Sequence, residues 1–154
     1  LIQTWKICLA DENTVIWEIS KEIWDDVILE REQVNLMLSD NYKAWSVHKR
    51  IHGKFPKTFS EHTGIFYDRL WCGDTKSPIR VEKCKVGNRI LDRQLLPAVT
   101  LNCSIDCQAR YFIIENTDNL FEARVLQCEL NSNQKCGVNK DRNKYFEGRI
   151  KVSI

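Results

Sequence analysis

Polar and apolar residues alternate from the start of the chain. Thr4-Trp5-Lys6-Ile7-Cys8 keeps a period of two, the spacing of a strand with one covered face. Asp11-Glu12-Asn13 follows as turn chemistry, and Val15-Ile16-Trp17 as a second short extended run. The spacing then changes. Ser20 reads as a helix N-cap, and Glu22, Asp25 and Asp26 place negative charge in the first turns, where the helix dipole favours it. Ile23, Val27 and Ile28 recur at helical spacing with Trp24 beside them. Val34, Met37 and Leu38 continue the stripe after the charged gap Glu30-Arg31-Glu32. The pattern predicts one long helix over residues 21–38, free of Gly and Pro, with a candidate break at the gap and a stop at Ser39-Asp40-Asn41.

After Gly53 the grammar is different. Pro56, Gly64, Gly73, Pro78, Gly87 and Pro97 punctuate the chain, and strand-like runs lie at 64–70, 79–84, 98–103, 110–115 and 121–130. The last two flank Asn116-Thr117-Asp118-Asn119, which is hairpin-turn chemistry. Residues 131–144 are mostly polar, and 149–154 alternate again as a final edge strand. A helix followed by an antiparallel sheet predicts an α+β fold, with residues 1–154 as one domain.

Composition narrows the picture. Hydrophobic residues make up 43% of the 154, enough for a packed core. The net charge of +2 is too small to imply a nucleic-acid partner by itself. The apolar stretches fall far short of the ~20 residues that span a membrane, so no membrane partner is expected. The first residue is Leu1, not Met, which suits a mature or a trimmed chain. The seven cysteines include no CxxC pair, so neither a metal nor any other cofactor is expected. Cysteines at this density suit an oxidised, secreted chain, and the odd number leaves at least one thiol free or paired with another chain. Asn102-Cys103-Ser104 matches a glycosylation sequon.

Four features stand in order: the Trp5 and Cys8 pair, a single helix, Gly53-Lys54-Phe55-Pro56-Lys57-Thr58-Phe59, and the hairpin from Tyr111 to Ala123 with Cys136 beyond it. This order resembles the small fungal guanyl-specific ribonucleases, and among them the RNase-like proteins associated with haustoria, effectors of powdery mildew fungi. The resemblance runs over residues 4–136. Lys6 stands where the family has an aromatic residue, with Trp5 one position early. The resemblance implies a microbial-ribonuclease-like fold, one main helix packed on a twisted antiparallel sheet. It also implies a disulfide between Cys8 and Cys136, a closure of ~4 kcal/mol by chain entropy. Cys72–Cys84 and Cys103–Cys107 are alternative local pairs.

Cleaving RNA through a cyclic phosphate needs a base, an acid and a cation at the phosphate. Active relatives carry two histidines, a glutamate and an arginine. Here Lys57 follows Phe55-Pro56 where the first histidine belongs, and before Pro78-Ile79, where the glutamate belongs, no carboxylate is closer than Asp74. Arg110 matches the arginine, and the run 121–130 has no histidine. His48, His52 and His62 all lie upstream, and His52 with Glu61 and His62 is the one relocated acid–base set to test. No catalytic residue is therefore assigned, and the chain reads as a pseudo-ribonuclease.

Binding is the remaining class. Residues 42–59 carry Lys43, Lys49, Arg50, Lys54 and Lys57 interleaved with Tyr42, Trp45, Phe55 and Phe59. Cations neutralise phosphates while aromatic faces stack on bases, whereas a plain solvated loop would turn its aromatics inward. Lys49, Arg50, Lys54, Lys57 and Arg110 are the candidate contacts to RNA or a host partner. Lys140, Arg142 and Lys144 read as solvated surface, and Trp17 and Trp24 as core. The resemblance implies a secreted virulence or avirulence effector, delivered into the host plant cell, that binds a host protein or RNA and is recognised by a plant immune receptor. The rival readings are an active secreted ribonuclease or ribotoxin, and an unrelated disulfide-rich extracellular binding module. Two packed sheets without a helix would favour the module.

Overall fold

The computed structural model describes residues 1–29, 33–48, 51–59, 68–73, 78–82, 96–105, 110–117, 120–130, 136–138 and 144–153. Among the described residues there is no helix. The strands are β1 (Ile2–Asp11), β2 (Thr14–Glu22), β3 (Val27–Leu29), β4 (Gln33–Ser39), β5 (Ala44–His48), β6 (Ile51–Lys54), β7 (Asp68–Gly73), β8 (Ile79–Glu82), β9 (Ala98–Ile105), β10 (Arg110–Asn116), β11 (Ala123–Leu130), β12 (Cys136–Val138) and β13 (Lys144–Ser153). One sheet has seven strands in the order β1-β2-β13-β9-β8-β5-β6, a second has four in the order β4-β11-β10-β7, and β3 pairs β12 in a two-stranded ribbon. Every pairing is antiparallel.

The α+β expectation is therefore corrected to an all-β fold, and the helix of residues 21–38 is absent. Ser20, read as its cap, sits inside β2 between Thr4 and Glu147. Residues 27–29 and 33–39 are strands. The stripe contains Ile23, Val27, Ile28 and Val34, all β-branched, which pack well on a pleated surface and lose rotamer freedom in a helix. From residue 33 onward the covered positions are Val34, Leu36 and Leu38, a period of two that the helical reading passes over. Two of the six stripe residues and the tryptophan beside them are exposed: Ile28 is 66% exposed, Met37 53% and Trp24 72%. Trp24 is thus not a core residue, while the half-buried Trp17 does pack against the core.

The expected edge strand at the C-terminus is also corrected. β13 is central, pairing β2 on one side and β9 on the other, so it ties the N-terminal hairpin to the rest of the sheet. That hairpin turns at Glu12-Asn13, where the Asn13 backbone N–H donates to the Asp11 carboxylate at 2.9 Å.

The core lies between the two sheets, as strand alternation requires. Ile19, Phe146, Ile150, Val99, Leu101, Ile79, Val81 and Trp45 come from the larger sheet, and Phe112, Ile114, Leu126 and Cys128 from the smaller. At one end the inward position on β11 is occupied by Arg124, which is 1% exposed. It spans into three elements. Its Nε donates to the Tyr42 carbonyl at 3.2 Å, one Nη to the Asp40 carbonyl at 3.2 Å and the other to Asn116 Oδ1. Its guanidinium lies over the rings of Phe55 and Phe59, 5.0 and 4.7 Å from their centroids. One buried cation thus holds residues 40–42 and 55–59 against the smaller sheet.

Cys8 carries a free thiol, so the Cys8–Cys136 bridge that the resemblance implies is not made here. Cys8 lies on the outermost strand of the seven-stranded sheet, whereas Cys136 opens β12 in the separate ribbon. Cys72 is also a free thiol, and it is exposed on β7. Cys84 and Cys107 lie outside the described residues.

Candidate binding face

Because one face of the larger sheet is packed, its other face collects the alternate residues, and most of these are polar, although the apolar Ile16 lies buried there opposite Lys151. Rows run straight across the strands. His52 stands opposite Ser46, Ser46 opposite Arg80, Arg80 opposite Thr100 and Thr100 opposite Lys151. A second row joins Asn102, Arg149, Glu18 and Lys6. Two open depressions lie on this face. The first, of about 490 Å³, is lined by Thr4, Lys6, Glu18, Asn102 and Arg149 among others. The second, of about 840 Å³, is lined by Ser46, His52, Lys54, Arg80, Glu82 and Thr100 together with the rim of Trp45.

The charges on this face are unequal. Lys6, Lys54, Arg80, Arg149 and Lys151 stand with Glu18, Glu22, Glu82 and Glu147. Arg80 pairs with Glu82 at 3.3 Å and Arg149 with Glu18 at 3.9 Å, each pair about half exposed and so weakly held. Among the described residues no ion pair engages Lys6, Lys54 or Lys151.

The sequence-derived candidates divide on this map. Lys54 lines the second depression, and Lys57 is exposed just beyond β6. Arg110 begins β10 in the other sheet, so it does not share the face. Lys49 and Arg50 lie outside the described residues, as do Glu61, His62, Asp74, Lys140 and Arg142. The aromatics of residues 42–59 turn inward. Tyr42, Trp45 and Phe55 are buried, and Tyr42 donates its hydroxyl to the Pro97 carbonyl at 2.7 Å. They build the core and the Arg124 cage, so they offer no stacking platform.

The relocated acid–base set does not assemble around Arg110, because His52 is on β6 and Arg110 on β10, in different sheets. Ser46 and His52 face one another across β5 and β6, yet no hydrogen bond joins them among the described residues. No cluster of three metal-ligating side chains occurs among the described residues.

Sequence reasoning missed Arg124 and Asn116. A signal was present: in Ala123-Arg124-Val125-Leu126 strict alternation puts Arg124 on the face of Leu126, inside the core, where a cation demands partners. Lys6 and Lys151 were missed as surface groups because only the β1-β2-β13 pairing brings them to one face.

Comparison with protein-family models, with curated proteins and with solved structures finds no match to this chain.

Proposed function

We propose that this chain is a non-enzymatic recognition module that docks an extended acidic polypeptide across the outer face of its seven-stranded sheet. The observation that carries the reading is the set of lysines without ion-pair partners among the described residues: Lys6 and Lys54, each lining a depression of that face, and Lys151, opposite Thr100 on the same face. A rigid sheet displays such groups at fixed spacing, about 4.8 Å from strand to strand, which suits an extended chain. A carboxylate-bearing partner gains favourable potential there and is steered to it. Single-stranded nucleic acid is the weaker fit, since stacking on aromatic side chains is its usual source of affinity and, among the described residues, this face offers only the His52 imidazole and the rim of the buried Trp45. The two packed sheets also favour the extracellular binding module among the earlier readings, and a secreted setting belongs to the same proposal. The effector reading, with a host protein or plant immune receptor as partner, is compatible with this surface and rests on the resemblance alone.

Fluorescence anisotropy tests the proposal with labelled poly-glutamate and a labelled single-stranded RNA of equal charge, each titrated across a salt series. Poly-glutamate should bind at low salt, release as salt rises, and bind far less to the triple variant Lys6→Glu, Lys54→Glu, Lys151→Glu. Equal binding by the triple variant refutes the assigned face. Tighter binding of RNA than of poly-glutamate refutes the partner class. Cleavage of the RNA would restore the ribonuclease reading.

A further inference from the structure

We infer that β1 is a self-association edge, pairing antiparallel with β1 of a second copy of this chain about a two-fold axis at Ile7.

The two ends of the seven-stranded sheet are built differently. β6 has four residues, carries Lys54 and runs directly into Phe55-Pro56, features that discourage further strand pairing. β1 has ten residues and, among the described residues, one pairing partner, so its far side presents unpaired backbone groups along most of its length. Its core-side face is apolar but uncovered. Trp5 is 57% exposed, Ile7 66% and Leu9 78%. In an isolated chain these side chains stay wet although their strand neighbours Ile19, Trp17 and Val15 belong to the covered side of the sheet. Trp5 is already positioned, edge-on to Trp17 with ring centroids 5.1 Å apart.

Residues directly opposite in an antiparallel pair share a face, so a two-fold pairing of β1 admits only alternate registers. An axis at Lys6 would set two ammonium groups against one another, which is unfavourable. An axis at Cys8 would set Trp5 against the irregular end of the hairpin, where the register shifts between Leu9 and Asp11. An axis at Ile7 sets Ile7 against Ile7 and Trp5 against Leu9 on the apolar face. On the polar face it sets Lys6 against Cys8, and no like charges meet. The sequence of β1 is self-complementary in this register alone of the three. The ladder is short against the ~800 Å² per partner of a standard interface, so the dimer forms in a concentration-dependent way, in the micromolar range. This inference is independent of the acidic-partner reading.

Sedimentation velocity on the full chain over a dilution series up to about 300 µM, which populates micromolar interfaces, tests it. The wild type should shift from monomer to dimer, and Ile7→Lys should weaken association about tenfold or more while keeping the same thermal melt, since Ile7 is outside the core. Ile7→Cys in a Cys8→Ser background should form a covalent dimer under mild oxidation, and Leu9→Cys in that background should not. A wild type that stays monomeric, leaving the stripe to a strand from another protein, overturns the proposal. So does a dimer indifferent to Ile7→Lys, or one that cross-links through Leu9→Cys instead.

Discussion

Arg124 donates to the Oδ1 of Asn116 directly across the β10–β11 ladder, and neither side chain reaches solvent. The Asn116 amide in turn donates to the Thr58 carbonyl at 3.2 Å. The acceptors around Arg124 that the hydrogen bonds identify are neutral, so the guanidinium is stabilised by dipoles and by the Phe55 and Phe59 rings rather than by a contacting carboxylate. Burial lowers its pKa, and the Asp40 charge partly restores it.

Arg124→Met should therefore be strongly destabilising although the replacement is apolar. It strands the carbonyls of Tyr42 and Asp40 and the Asn116 amide oxygen inside the protein. A loss of about 3 kcal/mol is expected in urea unfolding. Arg124→Lys should recover less than half of it, because an ammonium cannot reach three divergent acceptors while lying flat over two rings.

Gly53 stands directly opposite Trp45 across β5 and β6. A Cβ at this position would stand 2.5 Å from Trp45 Cζ2 and 2.7 Å from Cε2. The indole is fixed in the core, so it cannot swing away. Gly53→Ala should cost about 1–3 kcal/mol and change the tryptophan emission. Gly73→Ala meets Trp71 Cζ2 at 3.0 Å and should cost less.

Glu115 is buried in the smaller sheet, and desolvation raises its pKa above 4.5 against the hydrogen bond and charge of Arg69. A carboxyl with a raised pKa binds its proton more tightly in the folded chain than in the unfolded one. Its contribution to stability therefore falls as pH rises from the ordinary carboxyl range through the raised value. Glu115→Gln does not ionise. Urea unfolding across a pH series should show the variant gaining on the wild type between acid and neutral pH. A constant difference would contradict the raised pKa.

Cys72 is exposed but its thiol pKa is raised, first by partial desolvation, with Glu129 and Glu115 adding to the shift and Arg69 opposing it. The thiolate is the reactive form. Alkylation by iodoacetamide at neutral pH should be slower at Cys72 than for an unperturbed exposed thiol, and Arg69→Gln should slow it further.

Much of the strand content was legible. The runs at Thr4, Val15, Ala98, Arg110 and Phe121 all mark strands, as does the turn at Asp11-Glu12-Asn13, because a period of two with turn residues at its ends is a local signal. Residues 21–38 misled because Ile23, Val27, Ile28, Val34, Met37 and Leu38 satisfy a helical spacing as well. What distinguishes the alternatives is distant: β4 pairs with Ala123 to Glu129 on β11, and β2 with β13. No property of residues 21–38 alone reports those partners. The binding face was half legible for the same reason. Lys54 stands in a basic stretch, but Lys6 and Lys151 reach it only through pairing of the two ends of the chain.

By itself the sequence determined which residues alternate and where the chain turns, since both follow from side-chain periodicity and backbone preference within a few residues. Only the tertiary structure decided that residues 27–29 and 33–39 are extended, that Arg124 is caged by Phe55 and Phe59, and that β1 keeps an open edge. Each of these depends on which strand lies alongside. That choice is settled by burying surface contributed from opposite ends of the chain, a free energy that no local window contains.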